Sequence, residues 1–173
     1  MHETKGLIMA HKYITYLRTP LGQIKITADD NAVNSILFVF DDTEMKEENI
    51  NPVVTQCKIE LAEYFAGRRK EFDVPIQQEG TEFQKSVWDE LMKISYGKTV
   101  SYNDLAKALG NVKSIRAVGA ANGKNQISII VPCHRVIGSD GSLTGYAGRL
   151  WRKEWLLKHE AEYSGKEIQM EMF

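Results

Sequence analysis

The sequence is poor in the residues that build disulfide frameworks and metal sites. Its 173 residues include two cysteines, Cys57 and Cys133, and four histidines that are scattered without the spacing of metal ligands. Such a chain cannot build a disulfide-rich scaffold or a cysteine-rich zinc module from its own residues. We therefore expect no metal site, and a reducing compartment, the cytoplasm, as its location.

Long apolar runs and nucleotide-binding loops are also missing. No stretch of about 18 apolar residues occurs that would span a membrane. The N-terminus, "MHETKGLIMAHKY", lacks the apolar stretch and the cleavage site of a secretory signal. The tripeptide "GKT" at residues 97–99 would belong to a phosphate-binding loop only with a glycine five residues before its Gly-Lys pair, where Met92 stands. We expect neither a membrane partner nor nucleotide hydrolysis.

Charge is nearly balanced overall, but it is unevenly distributed along the chain. The formal net charge is −1, yet the segment from Lys98 to Lys158 holds ten basic and only three acidic side chains. Such asymmetry suggests contact with nucleic acid, because a basic face attracts phosphates and releases their counterions. A solvated basic face without any partner explains the charge equally well.

Strand signals dominate the first 40 residues, and a helix follows. Alternating and β-branched residues flank the turn signal "TPLG" at residues 19–22, and "NAVNSILFVF" supplies a third apolar run. From Pro52, "PVVTQCKIELAEYFAG" predicts a helix that ends at Gly67 and on which Cys57 is structural. The next segment, "EFDVPIQQEG", predicts a short strand and a linker. We place a boundary there, between an N-terminal α/β domain (residues 1–79) and a second domain (residues 80–173).

Helix signals replace strand signals beyond residue 80. Thr81 followed by Gln84 is a capping-box pattern. The apolar face predicted for this helix consists of Phe83, Val87, Leu91 and Ile94. Next, "SYNDLAKALG" and "SIRAVGAANG", which Ser114 would cap, predict two short helices joined by the turn "NVK". Such a pair is typical of a DNA-binding helix-turn-helix, although similar pairs occur in proteins that never meet DNA.

The last third of the chain predicts a strand, a glycine-rich loop and a closing helix. The apolar run "ISIIV" at residues 127–131 predicts a buried strand leading into Pro-Cys-His-Arg. The segment "RLWRKEWLLKHEAEY" predicts a helix on which Trp151, Trp155 and His159 share a face packed on the core.

Cys133 lies directly before His134, and this pair admits two interpretations. A cysteine attacks only as a thiolate, and a neighbouring base that is oriented by a carboxylate can remove its proton. Adjacent side chains of an extended chain point to opposite sides, so a water molecule would bridge the thiol and the imidazole. Glu160 on the closing helix is a candidate for orienting His134. The pattern alone leaves a nucleophile and a buried packing cysteine equally open.

Several segments together resemble one family, the O6-alkylguanine-DNA alkyltransferases. The active-site segment of that family is similar to "IIVPCHRVIGSDGSLTGYAG". Its entry helix and helix pair are similar to "TEFQKSVWDELMKISYGKTVSYNDLAKALG" and "SIRAVGAANGKNQ", and its closing helix to "KEWLLKHE". The resemblance extends from about Tyr13 to Glu160. It implies an α+β fold, in which a ribonuclease-H-like sheet and helix domain precedes a mainly α, winged-helix-like domain with a helix-turn-helix.

The resemblance also implies roles for individual residues. Cys133 would accept the alkyl group, His134 would act as its water-mediated base, and Glu160 would polarise His134. Tyr102 would assist protonation of the leaving guanine, and Arg116 would fill the space of the flipped base. The remaining positions that the resemblance implies for DNA or substrate binding are Asn125, Val136, Tyr146, Ala147, Lys153, Asn103, Ser139 and Arg135.

The function implied is repair of O6-alkylguanine in DNA by a single, stoichiometric transfer to Cys133. We expect a monomer that binds double-stranded DNA in the minor groove and needs neither a cofactor nor a metal. Activity on O4-alkylthymine stays open. Two alternatives are a non-catalytic alkyl-lesion binder and a helix-turn-helix regulator. Cys133 argues against the first, because such binders replace the nucleophile, and thiol reactivity would distinguish the second.

Overall fold

The N-terminal strands form an antiparallel sheet in chain order. The computed structural model describes residues 12–41, 43, 45–110 and 115–170. The strands are β1 (Tyr13–Thr19), β2 (Gly22–Ala28) and β3 (Val33–Phe38). Thr19 pairs with Gly22 across the predicted turn, and Gly22 takes a φ of 99°, which favours glycine. The prediction of three strands is confirmed.

Helices build most of the rest of the described chain. They are α1 (Pro52–Phe65), α2 (Glu82–Leu91), α3 (Tyr102–Ala108), α4 (Ile115–Gly123) and α5 (Leu150–Met170). A two-residue parallel pair, β4 (Val100–Ser101) with β5 (Val136–Ile137), joins the start of α3 to the segment after the candidate cysteine. The overall class is α+β, as predicted.

Local capping explains where these helices begin. The Asn51 side chain accepts a hydrogen bond from the Val54 N–H, and Pro52 occupies the first helical turn of α1. The predicted capping box of Thr81 and Gln84 is present at α2. A second box, of Ser101 with Asp104, starts α3. The predicted "NVK" turn and the cap at Ser114 lie outside the described residues.

A continuous apolar core connects the sheet to the helices. Helix α1 packs its buried face, which includes Cys57 and Leu61, against the sheet, and α2 packs against α3 and α4. Cys57 is fully buried, and burial raises the pKa of its thiol to about 12, so it behaves as a packing residue. The core includes buried residues from both sides of residues 79–80, and the boundary placed there stays a prediction.

The buried strand predicted at residues 127–131 is wrong. The segment forms turns, in which Ile127 makes one bridge to Ile36 of β3. Ile129 has a φ of 75°, which no strand residue adopts. An apolar run reports burial but not conformation, so periodicity could not distinguish a buried strand from a buried turn. The turn lies directly before Cys133 and positions it.

Three smaller predictions also need correction. The predicted strand around Ile76 is reduced to a single bridge with Val33. Phe83 lies in the first turn of α2 and is 44% exposed rather than part of the core. Trp151 is 50% exposed, and its ring lies against the Arg152 guanidinium. Within the described ranges, no helix has both the length and the apolar character needed to cross a bilayer.

Candidate active site

Cys133 opens a short 3-10 helix (Cys133–Arg135) rather than lying on an extended strand. Its side chain is 6% exposed, and its Sγ accepts a hydrogen bond from Asn125 Nδ2 at 3.2 Å. Burial raises the pKa of the Cys133 thiol, while the Asn125 hydrogen bond and the charge of Lys153 oppose the rise. The thiol therefore holds its proton at neutral pH until a base removes it.

The side-chain amide of Asn125 has a defined orientation. Its Oδ1 accepts from the Ile127 N–H at 3.1 Å, so Nδ2 must face the opposite way. Nδ2 donates there to the Val131 carbonyl at 2.9 Å and to Cys133 Sγ. Gln78 Nε2 donates to the same Oδ1 at 2.9 Å. The amide thus connects the turn at residues 127–131 to the sulfur atom.

His134 is completely buried and contacts Glu160 directly. Its Nε2 lies 2.7 Å from Glu160 Oε1, so Nε2 carries the proton and Nδ1 is the free acceptor of the neutral ring. Nδ1 has no hydrogen-bond partner among the described residues. Burial lowers the pKa of His134, with Glu160 opposing, so the ring is neutral near pH 7. His134, which follows Cys133 directly, therefore has a buried, neutral Nδ1 that can accept a proton.

Glu160 joins several donors at the centre of the site. Arg135 donates from Nε and Nη2 at 2.9 Å each, Tyr64 from its hydroxyl at 2.8 Å, and the Gly97 N–H at 3.3 Å. Although burial opposes it, His134 and Arg135 hold the pKa of the Glu160 carboxyl well below its ordinary range. Glu160 is therefore ionised at neutral pH and able to orient the imidazole.

A narrow recess opens beside the sulfur atom. Its lining includes Ser128, Tyr146 and Ala147, and its free volume of about 10 Å³ holds about one water molecule. The loop that borders it is held at the Thr144 carbonyl, which accepts from Tyr102 Oη at 3.0 Å and from Lys153 Nζ at 2.9 Å. A planar ligand would enter only if this loop moved outward.

Comparison with known proteins assigns the chain to a family. The profile of the 6-O-methylguanine DNA methyltransferase ribonuclease-like domain matches residues 12–78, and that of the DNA binding domain matches residues 82–162. The chain belongs to the 6-O-methylguanine DNA methyltransferase family. Methylated-DNA–protein-cysteine methyltransferases of Methanosarcina acetivorans and Bacillus subtilis are each 44% identical to it. These alignments cover 86% and 79% of this chain, and 97% and 87% of the two relatives.

Solved structures of the family have the same fold. The crystal structure of Mycobacterium tuberculosis O6-methylguanine methyltransferase superposes with a TM-score of 0.79 at 36% identity, over 88% of this chain and 94% of that one. Mycobacterium tuberculosis OGT in complex with DNA gives a TM-score of 0.78 at 38% identity, over 86% and 92%. The ribonuclease-like match contains β1 to β3 and α1, and the DNA binding domain match contains α2 to α4 and the first part of α5.

The family's DNA-binding domain includes α4, whose outer face is small and basic. Arg116 is exposed in the first turn, and the helix leads to the exposed Lys124. Between them the exposed side consists of residues without bulky side chains, namely Ala117, Ala120 and Gly123. The Trp88 indole anchors the inner side by donating to the Ala121 carbonyl at 2.9 Å. A polyanion could approach the backbone of this helix closely.

The other residues implied for DNA or substrate binding divide into three groups. Ser139 and Ala147 are exposed, and Asn103 and Tyr146 are partly buried. Val136 is fully buried and pairs with Val100 of β4. Lys153 is likewise buried, below the loop at Thr144.

Arg135 does not lie on the surface, where a residue that contacts DNA would have to be. It is 6% exposed, and its guanidinium donates to Glu160 and, from Nη1, to the Ile94 carbonyl at 2.6 Å. A side chain engaged in this way cannot reach DNA. The structure therefore corrects the expected DNA contact at Arg135 to an interior ion pair.

Three residues of this candidate site were not identified from the sequence. Tyr64 and Gln78 come from the N-terminal segment, and the Asn122 amide donates to the Cys133 carbonyl at 3.4 Å. The buried face of α1 does place Tyr64 inside, and a buried tyrosine hydroxyl needs a partner. That partner lies 96 residues along the chain, however, and no local pattern identifies it.

Proposed function

We propose that this chain repairs O6-alkylguanine in DNA by transferring the alkyl group to its own Cys133, once per molecule. The observation that carries the proposal is the contact of the buried His134 with Glu160 at 2.7 Å, next to a thiol that needs a base. Its relatives named methylated-DNA–protein-cysteine methyltransferases, in M. acetivorans and B. subtilis, support the same chemistry.

The nucleophile is generated by proton transfer from Cys133 to His134. The unprotonated Nδ1 of His134 receives the thiol proton through a bridging water molecule, and Glu160 stabilises the imidazolium that forms. Asn125 Nδ2, at 3.2 Å from the sulfur, and the charge of Lys153 stabilise the thiolate. Arg135 acts through Glu160 as a positioning residue, since it holds both carboxylate oxygens.

The alkyl group then moves in one displacement step. Cys133 Sγ attacks the alkyl carbon, a C–S bond forms, and the bond from that carbon to guanine O6 breaks with its electron pair going to the base. Tyr102 Oη, which borders the loop at Thr144, donates a proton to the leaving guanine and is reprotonated by solvent. This step uses only the side chains named here and solvent, and needs no metal or cofactor. The thioether is not reversed by water, so each molecule acts once.

Access to the lesion requires the base to leave the duplex. An O-alkylated guanine cannot reach a buried thiol from inside the stack, and flipping it costs on the order of a few kcal/mol. The small outer face of α4 enters the minor groove, and Arg116 fills the vacated space. In the recess, backbone groups at Val136, Tyr146 and Ala147 read the edge of the base, and Asn103 and Ser139 contact the strand. We propose that the chain acts as a monomer.

The transfer is tested by mass spectrometry after incubation with a duplex that contains one O6-methylguanine. We expect one added methyl group, located on the Cys133 peptide, and loss of the lesion from the DNA. A Cys133→Ser variant should bind the duplex but gain no methyl group. Binding without any adduct on the unaltered protein would instead support a non-catalytic lesion binder or a helix-turn-helix regulator.

A further inference from the structure

The N-terminal segment reaches the centre of the candidate site through one side chain. Tyr64 lies on the inner face of α1 and is fully buried, and its hydroxyl donates to Glu160 Oε1 at 2.8 Å. The same oxygen accepts from His134 Nε2 at 2.7 Å. Arg135 Nη2 donates to this oxygen as well, at 2.9 Å, so a donor from the N-terminal segment shares one carboxylate oxygen with two donors from the 3-10 helix.

We propose that Tyr64 is a positioning residue for the alkyl transfer, through which the N-terminal segment sets the basicity of His134. This inference rests on the proposed function. A donor on Oε1 withdraws negative charge from the atom that holds the imidazole, so it weakens the pull of Glu160 on the proton of His134. Without the Tyr64 hydroxyl, His134 would bind its second proton more tightly.

The surroundings of Tyr64 hold its hydroxyl in this position. Its ring contacts the rings of Phe65, Phe72, Tyr96 and His159, with centroid distances between 5.3 and 6.1 Å. Burial raises the pKa of Tyr64 well above its ordinary value, so the phenol remains a donor at every pH of interest. The ring packing is independent of the hydroxyl, and a phenylalanine would preserve it.

Replacement of Tyr64 by phenylalanine leaves the charges of the other groups near the imidazole unchanged. Arg135 on the 3-10 helix and Lys153 on α5 act on His134, Tyr146 interacts with Glu160, and Tyr96 interacts with Tyr64 itself. Removing the Tyr64 hydroxyl alters no formal charge among them. Any shift in the proton affinity of His134 would therefore come from the lost hydrogen bond.

The test is the pH dependence of single-turnover transfer from free O6-benzylguanine in the Tyr64→Phe variant. We expect the acid limb of the rate profile to move to higher pH by roughly 0.5 to 1 unit, since the imidazole becomes more basic. The rate constant on the alkaline plateau should stay within about threefold of the unaltered protein. Free base is used so that DNA binding does not enter the measurement.

Tyr16→Phe is the matched control. Tyr16 is also a buried tyrosine of the N-terminal segment, and its hydroxyl accepts from the Lys46 N–H, away from Glu160. Its profile should coincide with that of the unaltered protein. An unmoved limb in Tyr64→Phe, or equal movement in both variants, would overturn the inference. Absence of transfer in the unaltered protein would instead overturn the proposed function.

A second substitution keeps the inference testable if Tyr64→Phe does not fold. Incorporation of 3-fluorotyrosine at residue 64 strengthens the hydroxyl as a donor and leaves the ring in place. The acid limb should then move to lower pH, opposite to the phenylalanine variant. Movement to higher pH would contradict the proposed role of the hydrogen bond.

A second contact supports an independent inference about the nucleophile. Gln78 Nε2 donates to Asn125 Oδ1 at 2.9 Å, and Gln78 Oε1 accepts from the Gln126 N–H at 2.9 Å. The second bond fixes which end of the Gln78 amide faces Asn125. We infer that Gln78 is a positioning residue that polarises the Asn125 amide and strengthens its hydrogen bond to Cys133 Sγ.

This inference is tested by the pH dependence of alkylation at Cys133 with iodoacetamide, measured on the Cys133 peptide. Gln78→Ala should raise the apparent pKa of the thiol and slow alkylation at neutral pH by roughly threefold to tenfold. Gln77→Ala, at an exposed neighbouring position, should stay within about twofold. Equal alkylation rates in the two variants would overturn the role of Gln78. That result would leave the proposed function standing, because the proposed function is tested by alkyl transfer and not by iodoacetamide.

Discussion

Replacement of Glu160 by glutamine would leave a buried charge without its partner. Arg135 is 6% exposed and directs two nitrogen atoms at the Glu160 carboxylate, each at 2.9 Å. Removing one partner of a buried ion pair costs about 3 to 5 kcal/mol. For a chain of 173 residues, a loss of this size corresponds to a decrease in Tm of roughly 6 to 20 °C. The free energy of unfolding should fall accordingly at pH 7.

Urea and thermal unfolding, followed by circular dichroism, measure this loss. The matched control is Glu154→Gln on the same helix, where the carboxylate pairs with Lys158 at 2.9 Å but is exposed. That change should leave the free energy of unfolding nearly unaltered. In the double variant Glu160→Gln with Arg135→Met, the unpaired charge is gone, so about 1 to 3 kcal/mol of the loss should return.

The contribution of Glu160 to the free energy of unfolding depends on pH, and the sign of this dependence is defined. The pKa of Glu160 is lower in the folded than in the unfolded chain, so its contribution to stability is complete above about pH 4.3 and is lost as the pH falls further. The difference between the unaltered protein and Glu160→Gln should therefore be full at pH 7 and shrink in acid. A Glu160→Gln variant as stable as Glu154→Gln at pH 7 would refute the interior ion pair.

Three further predictions concern the reaction itself. Arg116→Ala should slow repair of duplex DNA at least tenfold more than transfer from free O6-benzylguanine, because only base flipping needs Arg116 to fill the vacated space. Equal losses in the two assays would remove this role. Burial keeps the pKa of His134 below its ordinary value. The transfer rate should therefore be independent of pH near pH 7 and decrease below about pH 6.5, as the ring is protonated. A rate that does not depend on pH in this range would exclude His134 as the base. Lys153→Met should raise the pKa of Cys133 and slow its alkylation by iodoacetamide roughly threefold to tenfold. The exposed Lys158→Met should have no such effect, and matching rates in these two variants would contradict the electrostatic role.

The elements of the fold could largely be predicted from local signals. The turn at Gly22, the proline at the start of α1 and the capping box at Thr81 act over two to four residues, and all three occur as predicted. The prediction failed where burial was the only signal. The run at residues 127–131 is buried, but Asn125 holds it as turns, and a positive φ at Ile129 excludes a strand.

The candidate site was only partly open to prediction. The motif singles out Cys133 and His134, the closing helix supplies Glu160, and the structure brings His134 and Glu160 together at 2.7 Å. Arg135 belongs to the same motif but points inward, because it neutralises a carboxylate that the motif does not contain. Nothing in the local pattern reports which side of a short 3-10 helix a side chain takes.

By itself, the sequence determined where most helices and strands begin, that a thiol directly precedes an imidazole, and which family the motifs resemble. These properties depend on neighbouring residues and on residue chemistry. Only the tertiary structure decided that two residues of the N-terminal segment reach the site. Tyr64 contacts Glu160, and Gln78 contacts Asn125. Those contacts join residues 96 and 47 positions apart. Side chains separated so widely meet only when the core has packed, and packing follows shape and burial rather than any period in the chain.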